Sequence, residues 1–191
     1  MLEWEAKNNY KKGSVFSAIK YGGSTGAWAK LERGELTLEE FYKPFASEVS
    51  ALLNDEKITA ETVEEFMGNL MAGLKKTDED MMEAIKSLKE QGLKLAVLTN
   101  NWKSDKFGRL LFEELDMFDQ VVESCVVGMR KPELEIYQHT LDKLGVTGED
   151  AVFLDDIAGN LTPAEQLGIT TIKVKVQHLI NSIINSKNNP R

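Results

Sequence analysis

From about residue 77 onward the chain repeats one pattern: a helical stretch, a short apolar run, then a polar cluster. Leu95–Leu98 runs into Thr99-Asn100-Asn101, and Ala151–Leu154 runs into Asp155-Asp156. Runs this short suit strands covered on both faces rather than buried helices. Asp78 is placed to cap a helix carrying Met81, Met82, Ile85 and Leu88, which Gly92 stops. Further helices are expected around Lys106–Leu115, over Pro132–Leu144 with Gly145 as the stop, and around Pro163–Leu167. Strands fall at Lys94–Leu98, Gln120–Val122, Ala151–Leu154 and Thr170–Val174, and a last helix begins near Val176. Strands alternating with helices predict an α/β fold, a Rossmann-like parallel sheet with helices on both faces. Ligands of such sheets sit beyond the carboxyl ends of the strands, so the polar residues there are the first candidates for chemistry.

Residues 1–76 follow a different rule and read as helix and loop throughout. Thr37 and Glu40 have the spacing of a capping box. Leu38, Phe41, Phe45, Val49 and Leu52 then recur every three or four residues, one apolar face of a helix. Pro44 lies inside that stripe and is expected to kink the helix or break it in two. A second stripe, Val63, Phe66, Met67, Leu70 and Met71, ends at Gly73. YGGSTGAW, from Tyr21 to Trp28, has paired glycines but no GK[ST], so it is expected to be a bend between helices, not a phosphate loop. The expected division is a helical subdomain over 1–76 and an α/β core over 77–191.

Charge and composition narrow the partners. With 23 basic against 31 acidic side chains the net charge is −8, and no basic cluster stands out, which argues against nucleic acid and anionic membranes. No apolar run is long enough to span a bilayer, and the opening MLEWEAKNNYKKG fits no targeting pattern, so a cytoplasmic or other soluble reducing compartment is expected. The single Cys125 sits among apolar residues and reads as a core filler, while His139 and His178 are too few for a His-rich metal site. Trp28 is expected to pack. Chemistry is left to carboxylates, Lys, Asn and hydroxyls.

Three strand-end and loop elements offer those groups. Thr99 and Asn100 can hold an anionic oxygen, or cap a turn. Asp155 and Asp156 are adjacent carboxylates that repel each other. A hard cation such as Mg²⁺ would relieve the conflict; the alternative is a solvated turn with Asp156 as a helix cap. Lys131, in GMRKP, could reach a phosphate or the carboxylate pair, or lie on the surface.

In the order LAVLTNN, GMRKPELEIY, VFLDDIAGNL, these elements resemble the second, third and fourth motifs of the haloacid dehalogenase (HAD) superfamily. VVESCVVGMRKPELEIY is similar to the phosphatase-type N-terminal domain of soluble epoxide hydrolase. The stretch from LEWEAKN to GGSTGAWAKLERGELTLEEF looks most like the HAD domain at the N-terminus of acyl-CoA dehydrogenase family member ten. The resemblance implies that residues 1–76 are a substrate-selecting cap. It also implies that Thr99 and Asn100 bind phosphate, Lys131 supplies positive charge, Asp156 ligates Mg²⁺ directly, and Asp155 and Asn160 support metal and lysine. The implied substrate is a small phosphorylated or acyl-type molecule; a homodimer is left open. A phosphorylatable receiver domain, which also uses Asp, Thr and Lys, is excluded because there the acidic pair precedes the lysine.

The family's first motif, an apolar strand ending in Asp-x-Asp with the nucleophile, has no match here. The one Asp-x-Asp, Asp78-Glu79-Asp80, follows Leu74-Lys75-Lys76-Thr77 and opens a helix. A hydrolase of phosphatase type that is inactive in this form is therefore expected, the alternative being a non-catalytic binding or regulatory module. The family's central strand is expected to be missing from the sheet, unless its neighbours close up or another chain donates one.

Overall fold

The computed structural model describes residues 2–73, 78–104 and 114–174. The first part is helical, as its periodicity predicts: α1 (Leu2–Lys7), α2 (Ser14–Gly22), α3 (Ala27–Glu32), α4 (Leu38–Leu53) and α5 (Ala60–Gly73). The glycine-rich segment is the expected bend, a short 3₁₀ turn at Gly23–Thr25 between α2 and α3. The alternating part follows as α6 (Glu79–Glu90), β1 (Ala96–Thr99), β2 (Gln120–Glu123), α7 (Ser124–Val127), α8 (Leu134–Leu144), β3 (Val152–Asp155), α9 (Ala158–Gln166) and β4 (Thr170–Lys173). The helices predicted around Lys106–Leu115 and from Val176 fall largely or wholly outside the described residues. Two compact units result. One comprises Met1–Lys76, Val97–Asp116 and Val121–Arg130; the other comprises Thr77–Ala96, Met117–Gln120 and Lys131–Arg191.

In the first unit α4 supplies the spine. Thr37 Oγ1 accepts the Glu40 amide at 3.2 Å, and the Glu40 carboxylate accepts the Thr37 amide at 2.9 Å, so the capping box is complete. Leu38, Phe41, Phe45 and Val49 are buried along one side. Phe41 stacks on Phe45 at 4.8 Å, and Trp28 of α3 meets the two rings at 5.7 and 5.5 Å. Of the two outcomes expected at Pro44, a break does not occur: the helix runs unbroken from Leu38 to Leu53. Both Pro44 and Glu40, whose carbonyl loses its amide partner, lie on the exposed side. An interior proline costs about 3 kcal/mol, whereas each buried phenylalanine contributes a similar or larger amount. The packed face outweighs the proline.

A buried carboxylate starts α2. Gly13, at φ 88°, has no side chain to cap it, and Glu5 of α1 accepts the amides of Gly13 and Val15, each at 2.8 Å. The negative charge thus meets the positive end of the helix dipole.

The four strands form two two-stranded sheets, β1 with β2 and β3 with β4. β3 and β4 are parallel, with Leu154 opposite Ile172 and Asp155 opposite Lys173. On one face Phe153 meets Tyr137 of α8 edge-on at 5.5 Å. On the other, Val152, Leu154 and Ile172 are about half exposed, so among the described residues helices cover only one face of this pair. At the start of the second unit, Asp78 caps α6 through the Met81 amide at 3.0 Å. Asp119 then joins the end of α6 to the approach to β1. It accepts Lys89 Nζ at 2.8 Å on both oxygens and the Leu95 amide at 2.8 Å.

The Lys89 ammonium, and after it the Leu95 amide, hold the Asp119 carboxyl below its ordinary value. A carboxylate whose pKa is lower folded than unfolded stabilises fully above its unfolded pKa, about pH 4, and loses that contribution as pH falls through the folded value. Asp119→Asn is therefore expected to be less stable than the wild type at pH 7, with the gap closing as pH drops below about 4. Urea unfolding across that range checks this; a gap independent of pH would contradict it.

Candidate functional site

The carboxyl end of β3 carries the second unit's polar cluster. Asp155, the last residue of β3, is buried. Its Oδ2 accepts Lys131 Nζ at 2.7 Å, and its Oδ1 accepts the Ile157 amide at 2.8 Å. Asn160 Nδ2 lies 3.0 and 3.1 Å from the two oxygens. Asn160 is itself fixed, because its backbone carbonyl accepts the Tyr137 hydroxyl at 2.7 Å. The Lys131 ammonium also lies over the Phe153 ring, 5.5 Å from its centre. Only 12% of the Lys131 side chain and 5% of that of Asp155 is exposed, so Lys131 is not a surface lysine.

Asp156 differs from its neighbour. It is exposed, and α9 begins after Ile157 with no side-chain cap, so Asp156 does not cap that helix. The charge of Asp155 is met by the Lys131 ammonium. Asp156 is left at the strand end with its carboxylate in solvent.

In the first unit, Thr99 ends β1 and Asn100 and Asn101 follow. Asn101 is structural: its amide donates to Ser124 Oγ at 2.9 Å, and its side-chain amide donates to the buried Glu123 at 3.1 Å. Its Oδ1 accepts the Trp102 amide at 2.9 Å, closing the turn. Among the described residues Thr99 Oγ1 makes only a long contact, 3.4 Å to the Asn100 carbonyl. Asn100 Nδ2 donates to Glu32 at 3.2 Å, and Glu32 is also paired with Arg130 through Nε at 2.5 Å. Sequence reasoning missed Glu32 and Arg130, since no local spacing links residues so far apart along the chain. Trp28 packs, as expected, but its indole also donates to Glu32 at 2.9 Å.

Residues 3–168 match the haloacid dehalogenase-like hydrolase family. The chain belongs to that family. It is 36% identical over 172 residues to acyl-CoA dehydrogenase family member 10 of Mus musculus, covering 90% of this chain and 16% of that protein. Bifunctional epoxide hydrolase 2 of Sus scrofa is 32% identical over 179 residues, covering 90% of this chain and 32% of that protein. The chain thus spans a third or less of these two relatives' length. The sesquiterpene phosphatase astK of Aspergillus oryzae is 30% identical over 158 residues, 82% of this chain and 74% of that protein. A HAD family enzyme of Bacteroides thetaiotaomicron, solved with magnesium and inorganic phosphate, superposes with a TM-score of 0.57 at 20% identity, covering 86% of each chain. That likeness supports a Rossmann-like core with a helical cap.

For a HAD-like hydrolase the donor set is instructive. Among the described residues no three or more His, Cys, Asp or Glu side chains converge as a metal cage. Mg²⁺ does not need one, because it keeps several waters and binds through one or two carboxylates. Asp156 fits that role. Asp155 has both oxygens engaged by Lys131, Asn160 and Ile157, which suits it to hold the lysine. Asp78 is an N-cap, so Asp78-Glu79-Asp80 is not a strand-end nucleophile motif.

Removing one member of a buried ion pair strands the other charge and costs about 3–5 kcal/mol, whereas exposed positions away from such features change stability by about 0.5 kcal/mol or less. Asp155→Ala is expected to show the large loss and Asp156→Ala the small one in urea unfolding. Equal effects would contradict the division of labour between the two aspartates.

Proposed function

We propose that these residues form the phosphate- and metal-handling part of a phosphatase-type hydrolase, with residues 77–191 as the core and 1–76 as the cap that selects a small phosphorylated substrate. The observation that carries this reading is the strand-end arrangement in β3. A buried Asp155 fixes Lys131, while the adjacent Asp156 faces solvent. Similarity to a protein named a sesquiterpene phosphatase supports a phosphate monoester as the substrate class.

In this reading the Thr99 hydroxyl and the Asn100 amide donate to non-bridging phosphoryl oxygens. Lys131, held in one place by Asp155 and Asn160, opposes the negative charge that builds on the transferring group. Asp156 would hold Mg²⁺ with water completing the shell, and the ion would add further positive charge at the phosphate. Catalysis of this type is mostly positioning and charge stabilisation, which fixed donors supply without reorganisation.

The nucleophile is the missing part. Within the 191 residues no apolar strand ends in Asp-x-Asp, and no cation or water replaces a covalent nucleophile. The second reading, a phosphate-binding module without turnover, rests on that observation. Both make the same forecast for this polypeptide: no Mg²⁺-dependent release of phosphate from p-nitrophenyl phosphate above the protein-free rate. Joined to an upstream strand ending in Asp-x-Asp, the hydrolase reading predicts turnover that Lys131→Ala abolishes; the binding-module reading predicts none. Mg²⁺-dependent turnover by the 191 residues alone, lost in Lys131→Ala, would overturn the proposed inactivity.

A further inference from the structure

Glu32 is buried at the end of α3, 7% exposed. An isolated carboxylate there would be costly, and three donors meet it instead. The Trp28 indole donates to Oε1 at 2.9 Å; Asn100 Nδ2, at 3.2 Å, and Arg130 Nε, at 2.5 Å, donate to Oε2. Trp28 belongs to the same helix. The other two belong to different loops, Asn100 to the one after β1 and Arg130 to the one after α7. One carboxylate therefore joins Asn100 and Arg130, two residues of the first unit that are distant along the chain.

Two further contacts show that this junction is built into the packing. Trp28 meets Trp102, two residues beyond Asn100, edge-on at 5.8 Å. Gly34, at φ 71°, lies so close to α7 that a Cβ there would fall 2.5 Å from the Cys125 carbonyl oxygen. The end of α3 thus packs beside α7 and the loop after β1. The charge balance also matters. A lone carboxylate beside a phosphate site would repel its ligand, but the Arg130 guanidinium cancels the Glu32 charge, so the pair orders the loops without opposing an anion.

We propose that Glu32 is a positioning residue for the Asn100 end of the anion site: it orients the Asn100 side-chain amide, with Arg130 balancing its charge. The anion's identity as phosphate rests on the function proposed above; the orientation of Asn100 does not. Because Trp28 shares the same carboxylate, its indole N–H reports on the site.

The test uses the ¹⁵N-labelled 191-residue chain, with inorganic phosphate and MgCl₂ as the probe, and compares wild type with Glu32→Gln and Glu32→Asp. Expected results are a shifted Asn100 side-chain amide resonance in Glu32→Gln and phosphate binding weakened about tenfold, the scale of one charge-assisted hydrogen bond. The Trp28 indole resonance should move with phosphate in the wild type and stay still in Glu32→Gln, with part of the response restored in Glu32→Asp. A Glu32→Gln protein of lower melting temperature but unchanged Asn100 amide and phosphate affinity would overturn the proposal, leaving Glu32 a purely structural residue. If the wild type takes no phosphate, the functional reading fails, and the Asn100 amide alone decides: a shift in Glu32→Gln supports positioning, no shift overturns it. If Glu32→Gln does not fold, Glu32→Asp is judged by the same two resonances.

Discussion

A carboxylate as buried as Asp155 persists only where its charge is met inside the protein, and here Lys131, Asn160 and the Ile157 amide meet it. The consequences extend in both directions from that contact. Outward, Lys131 is held by a short hydrogen bond and the Phe153 ring, so a flexible four-carbon side chain becomes a fixed point charge. Inward, Asn160 ties the start of α9 to the end of β3, and Tyr137 ties α8 to Asn160. The turn after β3 is thereby closed from within, and the next residue, Asp156, is left facing water.

The first unit uses the same physics at a second place. Glu32 gathers an indole, a side-chain amide and a guanidinium, and α3 is brought against two loops by one charge. In both clusters a buried carboxylate orders groups that would otherwise have several rotamers. Rigidity of this kind is what an anion site requires, because donors already in place need no reorganisation when charge arrives. The glycine at position 34 is part of the same design, since any side chain there would push α3 away from α7.

Much of this was legible in the sequence, for reasons of range. Capping signals at Thr37-Glu40 and Asp78, the stripe from Leu38 to Leu52 and the polar residues after each apolar run are local patterns, and local backbone physics decides them. The order of Thr99, Lys131 and Asp155-Asp156 carried the family. The helix is not broken at Pro44 because the proline's penalty is local while the compensating burial of Phe41 and Phe45 is tertiary. Glu32 and Arg130 were invisible because nothing in either neighbourhood announces a partner on a distant loop. Asp155 and Asp156 part company because Asp155 ends β3 against Lys131 and Asn160, whereas Asp156 lies beyond the strand and is exposed.

The proposed anion site is tested most directly by a backbone amide titration of the 191-residue chain with inorganic phosphate, in the presence and absence of MgCl₂. With the proposed site, Thr99, Asn100 and Lys131 are expected to shift together with a single dissociation constant, Mg²⁺ to tighten it, and Asp156→Ala to remove the tightening while leaving the metal-free response. Shifts confined to exposed lysines elsewhere, or a response of Thr99 and Asn100 that does not include Lys131, would contradict it.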